Sequence, residues 1–464
     1  MRDGRNHRRS GKIITLKGVY MKKIAVSIIL IALVVSAAIP IASGFLAKRV
    51  VVQSVEEVNS FYAESGYDIS VEILKYDRQL FNSEIEWKID FGSLQNLYGT
   101  SEIIFYDRAK HGYRGIRSHT SLEKNSWYQS FVDSYLNGVD PLTIVTTYNI
   151  IGNIESLAKL ESFSFEKDGE QVVVKSGFMV MSCDQAISKI KADLSWEGGQ
   201  VQERLILEAL EIHQNMKKVS DLVWQGDMLF TLGTLQFPNQ QMDAGFQNVS
   251  MDYTLSYDQP NDKLNMFSHF GVGSMVADVQ SMKDLSFIFA IENLDRQAFE
   301  DFMAFYGKTT SAIFGQLKDA ENDQQKNEII KQQATIAGFQ MMSAFERLLT
   351  KDLTLKFSDF AADLTDGSVE ADLMVVLKEK LSLAQLNGLS LDPDLITDFF
   401  DMELDISFPE TLLDKKEALI VPLRPQMKTG LFLNQNGRLM HQSRILNDTI
   451  SLNGNEIVLK DLLN

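Results

Sequence analysis

The sequence predicts an α+β, β-rich protein in which an N-terminal transmembrane helix precedes a long antiparallel β meander with an inserted helical pair. Three patterns support this prediction. An uncharged apolar run covers residues 24–47, apolar and polar residues alternate from Tyr67 onward, and helical stripes interrupt the alternation between Asp295 and Leu349. The 464 residues exceed the usual size of one compact core, so one elongated domain and two coupled domains both suit this length.

The first element is the run IAVSIILIALVVSAAIPIASGFLA, whose 24 residues are long enough to cross a hydrocarbon core of about 30 Å as a helix. Lys22, Lys23 and six further basic residues precede this run. The positive-inside rule therefore places residues 1–23 in the cytoplasm as a basic tail. We accordingly expect a single-pass protein of a Gram-negative inner membrane, with the bulk of the chain in the periplasm.

Two alternatives concern this N-terminal region. Small residues at 36–38 and 42–44 suit signal-peptide cleavage, although the run continues past both positions. Met21 followed by two lysines resembles an ordinary start of an exported protein. A second hypothesis is therefore that Met21 is the true initiator and that residues 1–20 are a start-site artefact.

The exported part begins with a predicted stalk helix over residues 48–65, because apolar residues recur there at steps of three and four. Residues 66–464 then form the predicted periplasmic β-rich domain. Its first two strands are indicated by apolar residues at every second position: Ile69, Val71 and Ile73, then Ile85, Trp87, Ile89 and Phe91.

Two-residue turn signals recur between the alternating runs and predict hairpins of an antiparallel meander. Each dipeptide readily adopts the positive φ angles of a tight turn. The signals are Asp168-Gly169, Gly198-Gly199, Asp366-Gly367, Asn436-Gly437 and Asn453-Gly454.

The segment 295–349 departs from this pattern and predicts two helices separated by the polar stretch Asp319–Asn327. The second helix carries an apolar stripe that predicts one buried face. This stripe consists of Ile330, Ala334, Ala337, Met341, Phe345 and Leu348.

The first helix of this pair has apolar residues spread more widely than a single stripe. One interpretation is a core helix that is buried all round. The alternative is a helix that covers an apolar groove in the sheet or forms a dimer contact, because aromatic and methionine side chains suit adaptable contacts. The candidate ligand or partner contacts are Phe302, Met303, Phe305 and Phe314.

Charge is distributed unevenly along the chain. Ten Lys/Arg and one Asp give residues 1–49 a net charge of +9, so the total of −17 leaves −26 on residues 50–464. A surface this acidic repels phosphate backbones, and we expect no nucleic-acid partner. The lone cysteine, Cys183, excludes an intrachain disulfide and is expected to be a small buried hydrophobe rather than a nucleophile.

The residues that carry chemistry form no assembled motif. The six histidines are scattered, with no pair spaced to present two imidazoles to one metal, so we expect no metal site and no cofactor. Gly307-Lys308-Thr309 ends like a phosphate-binding loop, but Phe302 stands where that loop needs its first glycine. Asp and Glu are plentiful, so an acid/base pair of carboxylates stays open as an alternative.

Four stretches resemble one known family. Residues 21–23 open the apolar run and stalk, and residues 75–83 match the pattern Tyr-x-Arg-Gly-x-Phe-x-Ser except that Gln79 replaces the glycine. Residues 110–112 match a His-Gly-Pro segment in which Tyr113 stands at the proline. The fourth match is the C-terminal hairpin. In these features the chain resembles the YdgA/YihF-like family of proteobacterial envelope proteins.

The resemblance implies an inner-membrane anchor and a large periplasmic β-rich domain, but no activity. It singles out polar and turn positions for testing, although Arg beside a strand end and His-Gly in a turn are also common scaffold devices. The family-motif positions are Tyr76, Arg78, Phe81, Ser83, His111, Gly112, Asn453 and Gly454.

Two functional hypotheses follow from the sequence. The first is a non-enzymatic envelope protein that uses its sheet to bind an apolar ligand such as a lipid, an envelope partner protein or a second copy of itself. The alternative is a carboxylate-based hydrolase that acts on an envelope polymer.

Overall fold

The computed structural model describes residues 48–149, 152–167, 169–202, 204–238, 244–277, 280–318, 323–389, 392, 395–414, 430–446 and 449–458. The predicted basic tail and the predicted transmembrane run lie outside these residues. Among the described helices, none is both long enough and apolar enough to cross a membrane.

The described part contains 22 strands, many of them unusually long because apolar and polar residues alternate over many positions. The strands are β1 (Ser70–Arg78), β2 (Asn82–Asp90), β3 (Glu102–Gly112), β4 (Gly115–Ser121), β5 (Leu142–Asn149), β6 (Ile154–Leu160), β7 (Phe163–Lys167), β8 (Glu170–Val174), β9 (Gly177–Cys183), β10 (Lys189–Val201), β11 (Leu205–Lys218), β12 (Trp224–Phe237), β13 (Ala244–Asp258), β14 (Lys263–Ala277), β15 (Gln280–Asp295), β16 (Thr354–Leu364), β17 (Gly367–Leu377), β18 (Phe400–Pro409), β19 (Leu433–Gln435), β20 (Arg438–Leu446), β21 (Thr449–Leu452) and β22 (Asn455–Ile457).

Helices are few, and two of them are much longer than the others. The helices are α1 (48–65), α2 (Gln95–Tyr98), α3 (Ser126–Tyr135), α4 (Arg296–Lys318), α5 (Asp323–Leu348), α6 (Leu383–Leu389) and α7 (Ile396–Phe399), with short 3-10 turns at Gly92–Leu94 and Glu410–Asp414.

All these strands join one open antiparallel sheet, which confirms the predicted antiparallel, β-rich fold. Strands that follow each other in sequence pair with each other along most of the chain. The exceptions are local. β6 pairs with β9, the β7–β8 hairpin joins the sheet through β10, and β18 pairs with β20.

The Asn-Gly signals near the C-terminus form the predicted tight turns. Asn436 and Gly437 have φ angles of 55° and 81°, and Asn453 and Gly454 have φ angles of 50° and 81°. Both pairs therefore connect adjacent antiparallel strands with two left-handed residues, as a type I′ turn requires.

The turn predicted at Gly198-Gly199 is wrong. Both glycines lie inside β10, where Gly198 faces Glu208 and Gly199 faces Leu207 of β11. A Cβ atom on Gly198 would lie 2.0 Å from the carbonyl oxygen of Leu207. These glycines therefore allow two strands to approach closely instead of reversing the chain.

The largest buried cluster lies where α4 and α5 meet the ends of the long strands. The Asp295 carboxylate accepts a hydrogen bond of 2.9 Å from the Ala298 N–H and so caps the first turn of α4. The fully buried members of the cluster are Val223, Leu255, Leu264, Leu294, Ala298, Leu348, Leu349, Leu353, Leu377 and Leu381.

The buried face predicted for the second helix is wrong at two positions. Ile330 and Phe345 of α5 are 47% and 45% exposed. Leu348, which also belongs to the predicted stripe, is a member of the buried cluster. The main neighbour of α5 is α4 rather than the sheet. A stripe at helical spacing indicated a helix correctly but not how much of that helix is covered.

The middle of α4 ties the sheet core to the N-terminal part of the chain. A Cβ atom on Gly307 would lie 1.7 Å from the carbonyl oxygen of Ser65, so only glycine lets α4 pass the end of α1. Close by, the Asp68 N–H donates to the Ser311 hydroxyl over 3.1 Å.

Candidate functional site

Four family-motif positions that are far apart in sequence meet in β1–β3. Arg78 and Ser83 face each other across the β1–β2 hairpin. The backbone N–H of His111 donates to the carbonyl oxygen of Phe81 over 2.8 Å, and this hydrogen bond joins β3 to the same hairpin. Tyr76 lies two residues before Arg78 on β1 and is half-buried. The structure thus gathers Tyr76, Arg78, Ser83 and His111 at one end of this sheet segment.

Ser83 and His111 form a buried hydroxyl–imidazole pair. Ser83 Oγ lies 2.9 Å from His111 Nε2, and His111 Nδ1 lies 3.4 Å from the carbonyl oxygen of Leu80. Burial lowers the pKa of His111, so the neutral ring accepts from the Ser83 hydroxyl when Nδ1 carries its proton.

Such a pair can activate a serine nucleophile when a third group orients the imidazole and a substrate can reach the hydroxyl. Here a backbone carbonyl faces Nδ1, and the residues Ser83 and His111 are only 2% and 7% exposed. Burial removes the access that a nucleophile needs. The arrangement therefore suits a polar clasp between β2 and β3 better than catalysis.

Asp107 forms a second polar centre in the same segment. Its carboxylate accepts from Trp87 Nε1 over 2.7 Å, from the Ser118 hydroxyl over 3.2 Å and from the Thr120 hydroxyl. Burial raises the pKa of Asp107 although these three donors favour the charged form. The oxygens of this carboxylate are occupied inside the protein, which is typical of a structural group.

Cys183 and the histidines supply no further reactive centre. Burial raises the pKa of the half-buried Cys183 thiol, which disfavours the thiolate that a nucleophile requires. His213 sits on the surface with Nδ1 2.8 Å from Asp193 Oδ1. Within the described residues, no group of three or more His, Cys, Asp or Glu side chains is arranged to hold a metal ion.

The long strands β10–β15 present a different feature, an apolar face that we call the apolar rows. Strand register aligns Leu194, Ile212, Phe230, Met251, Phe270 and Phe287 in one row, and Trp196, Leu210, Leu232, Val249, Val272 and Leu285 in the next. Between these rows, the residues that point to the opposite face are small or polar: Ser195, Glu211, Thr231, Ser250, Gly271 and Ser286.

The apolar rows are only partly covered. Leu232 and Val272 are 8% and 4% exposed, whereas the other ten residues of the two rows are half-buried. The ring centroids of Phe270 and Phe287 are 5.1 Å apart, and Phe357 of β16 continues this contact at 5.1 Å. A continuous apolar surface of aromatic and aliphatic side chains therefore remains accessible on one face of the sheet.

A line of left-handed residues crosses the same strands beside the apolar rows, and we call it the crease. Ala209, Asn248 and Asp284 have φ angles of 54°, 54° and 48° on β11, β13 and β15. On the two strands between them the register places Gly233 and Gly273, where a Cβ atom would lie 3.0 Å and 3.1 Å from the Cβ of Ala209 and Asn248. A side chain at either glycine would require its neighbour to shift by a few tenths of an ångström.

Beyond the crease the apolar pattern resumes after a step of three residues instead of two. An extra residue changes the phase of a strand in this way, and here that residue is left-handed on β11, β13 and β15 and a glycine on β12 and β14. The register aligns the resumed row as Leu207, Leu235, Phe246, Met275, Met282 and Leu364.

On the side of the apolar rows away from the crease, the helix pair α4 and α5 packs on the long strands. Phe299 and Phe302 of α4 are half-buried and pack against the buried cluster, as do Tyr253, Met266 and Ile291 of the long strands. Phe302, a predicted contact residue, is therefore part of the core where helix and sheet meet. The other predicted contacts on α4 are half-buried and are not members of that cluster: Met303, Phe305 and Phe314.

The remaining family-motif positions lie in turns. Phe81 is 54% exposed in the β1–β2 turn, and Gly112 faces Gly115 at the β3–β4 turn. In the C-terminal hairpin, the Asn453 side chain accepts from the Gln442 N–H over 2.9 Å. These residues shape turns. Asn453 and Gly454 follow β21, which pairs with β20, and these pairings do not place them beside the Ser83–His111 pair.

Comparison with known proteins gives one match. No curated protein and no solved structure matches the chain. A bacterial protein family of unknown function, DUF945, matches residues 21–460, which is nearly the whole sequence. The chain therefore belongs to this family of bacterial proteins of unknown function.

Proposed function

We propose that this protein binds the acyl chain of a lipid along the apolar rows of β10–β15. The observation that supports the proposal is that these rows are continuous across six strands and remain half-exposed. Six strands at a spacing of about 4.8 Å give a row about 24 Å long. One leaflet of a bilayer is about 15 Å of hydrocarbon, so a row is long enough for an acyl chain.

Charge restricts the headgroup of such a lipid. The net charge of −26 on residues 50–464 disfavours an anionic group near the middle of the sheet. The proposed ligand is therefore neutral or zwitterionic, with its tail on the apolar rows and its headgroup towards solvent.

The proposed setting is the bacterial envelope. Residues 24–47 would anchor the chain in the inner membrane, with residues 1–23 in the cytoplasm and the sheet in the periplasm. A lipid-binding sheet beside a bilayer would have its ligand at high local concentration. The protein would act without chemistry, as a carrier or sensor of lipid.

The hydrolase alternative receives less support from the geometry. The carboxyl group whose pKa is raised, Asp107, is buried and already accepts three hydrogen bonds. A general acid needs to reach the oxygen of a leaving group, and the position of Asp107 prevents this.

The test is to purify the full chain in mild detergent, extract it with organic solvent and identify lipids by mass spectrometry. Phe270→Glu and Phe287→Glu place a charge on the apolar rows and should abolish the co-purified lipid while leaving the circular dichroism spectrum unchanged. His269→Glu is the matched control, because His269 is exposed and adjacent to Phe270 but points to the opposite face.

Three results would contradict the proposal: no lipid in the wild-type extract, equal lipid in all variants, or loss of lipid in the control alone. Phe302→Glu serves as a folding reference, because Phe302 packs in the core and a charge there should unfold the helix–sheet junction. The oligomeric mass of each variant, measured in parallel, shows whether a second copy of the chain covers the apolar rows instead of a lipid.

A further inference from the structure

The point where the described chain begins lies beside the β1–β2 turn. Lys48 Nζ is 5.4 Å from the ring centroid of Tyr76 near the end of β1. Farther along α1, the Asn59 side chain donates to the carbonyl oxygen of Val71 over 2.8 Å and accepts from its N–H over 2.7 Å. Helix α1 therefore runs antiparallel to β1, and its first residue lies at the hairpin end of that strand.

Three large apolar side chains project at the same end. Leu80 and Phe81 in the β1–β2 turn are 62% and 54% exposed, and Tyr113 in the β3–β4 turn is 58% exposed. The hydrogen bond from His111 to Phe81 holds the two turns together. These exposed side chains therefore lie in two adjacent turns, near Lys48, the residue that follows the apolar run 24–47 in the sequence.

Several basic side chains lie in or next to these turns, beside the Asp77–Glu84 pair of the β1–β2 hairpin, although the domain as a whole is acidic. Lys48, Arg49, Lys110 and Arg114 are all exposed. Arg117, also exposed, faces Lys110 directly across the β3–β4 pair. Two like charges at facing positions repel each other, and an anionic surface nearby would remove that cost.

We infer that these two turns form a membrane-facing tip, made of Leu80, Phe81, Tyr113, Lys48, Lys110 and Arg114, that docks into the headgroup region of an anionic bilayer. Exposed aromatic residues combined with lysine and arginine suit this region, where rings insert and cations meet lipid phosphates. Adjacency to the apolar run favours a bilayer over a protein partner. This inference rests on the membrane anchor proposed for residues 24–47 and is independent of the lipid proposed for the apolar rows.

The tip gives the buried Ser83–His111 pair a role. Ser83 follows the β1–β2 turn, and His111 precedes the β3–β4 turn, so their contact fixes one turn against the other. A rigid tip presents its three apolar side chains together and loses less conformational entropy on docking.

The test uses the full chain carrying Cys183→Ser and one new cysteine with an environment-sensitive fluorophore. Tyr113→Cys reports on the tip. Val139→Cys is the control, because Val139 is 69% exposed in the loop that lies one strand length away, at the far end of β4 and β5. Each protein is reconstituted into phosphatidylcholine vesicles with or without phosphatidylglycerol, using brominated acyl chains as quenchers.

We expect several-fold stronger quenching at position 113 than at position 139, with a larger difference when phosphatidylglycerol is present. Lys110→Gln combined with Arg114→Gln should reduce that lipid dependence, whereas the control Lys351→Gln with Lys380→Gln should not. Equal quenching at the two labelled positions, or no quenching at either, would overturn the inference. Lipid co-purification with the apolar rows is measured separately and does not affect this result.

Discussion

Acidification should loosen the Ser83–His111 clasp, and the direction of this effect follows from the pKa of His111. Burial is the main cause that lowers this pKa below its ordinary value of 6.5. An opened state restores the ordinary pKa, so it binds more protons than the closed state in the pH range between the two values. The free energy of opening therefore has its maximum value above about pH 6.5 and falls as the pH decreases towards the lowered pKa of His111. The slope is at most about 1.4 kcal/mol per pH unit.

Hydrogen–deuterium exchange of the β2 and β3 amides in the detergent-solubilised full chain would measure this free energy. We expect the wild type to lose protection between about pH 7.5 and 5.5 after correction for intrinsic exchange, and His111→Gln to lose this pH dependence. His213→Gln is the control, because His213 is an exposed histidine bonded to Asp193. An unchanged pH slope in His111→Gln would refute the assignment of the effect to the clasp.

The pH effect of Asp107 has the opposite sign. Its folded pKa is raised above 3.8 by burial, so protonation stabilises the closed state and part of this stability is lost as pH rises through the raised value. The two groups are separable because their effects have opposite signs and His111→Gln removes only that of His111.

Three further predictions concern the helix pair and the topology. Leu264→Ala should lower the free energy of unfolding by about 3 kcal/mol in chemical denaturation, because Leu264 is fully buried, and a loss below about 1 kcal/mol would contradict this core. Gly307→Ala should detach α4 from Ser65 and raise amide exchange in both helices, whereas Gly338→Ala, with nothing within 4 Å, should stabilise α5 by about 0.5–1 kcal/mol. An alkaline phosphatase fused after Asn464 should be active, and an inactive fusion would contradict export of the large domain.

The pattern of alternation was sufficient to predict the antiparallel sheet, because one face of each strand is apolar. The clasp could not be derived in this way. Ser83 and His111 are 28 residues apart, and only strand pairing through β2 and β3 brings them to 2.9 Å. Resemblance to a family singled out both residues, whereas composition and spacing did not.

Two features of the long strands leave a pattern in the sequence, but a search for alternating apolar residues interprets that pattern wrongly. Gly198-Gly199 has the composition of a turn, but the same lack of a Cβ atom serves close strand contact inside β10. The crease is visible as apolar pairs three residues apart in successive strands, such as Leu207 with Leu210 and Leu232 with Leu235. Between such a pair lies either a left-handed residue, as at Ala209, or a glycine, as at Gly233, and only the register shows that the steps align.

The pairing of each strand with its neighbour in sequence has a consequence for synthesis. A sheet built in this way can assemble in chain order, one hairpin after another, because few strands wait for a distant partner. A long-range exception among the described residues is the contact of Asp68 with Ser311, which spans 243 residues. Docking of α4 against the end of α1 would therefore come late, and the N-terminal strands would stay unlocked until the ribosome has passed the helix pair.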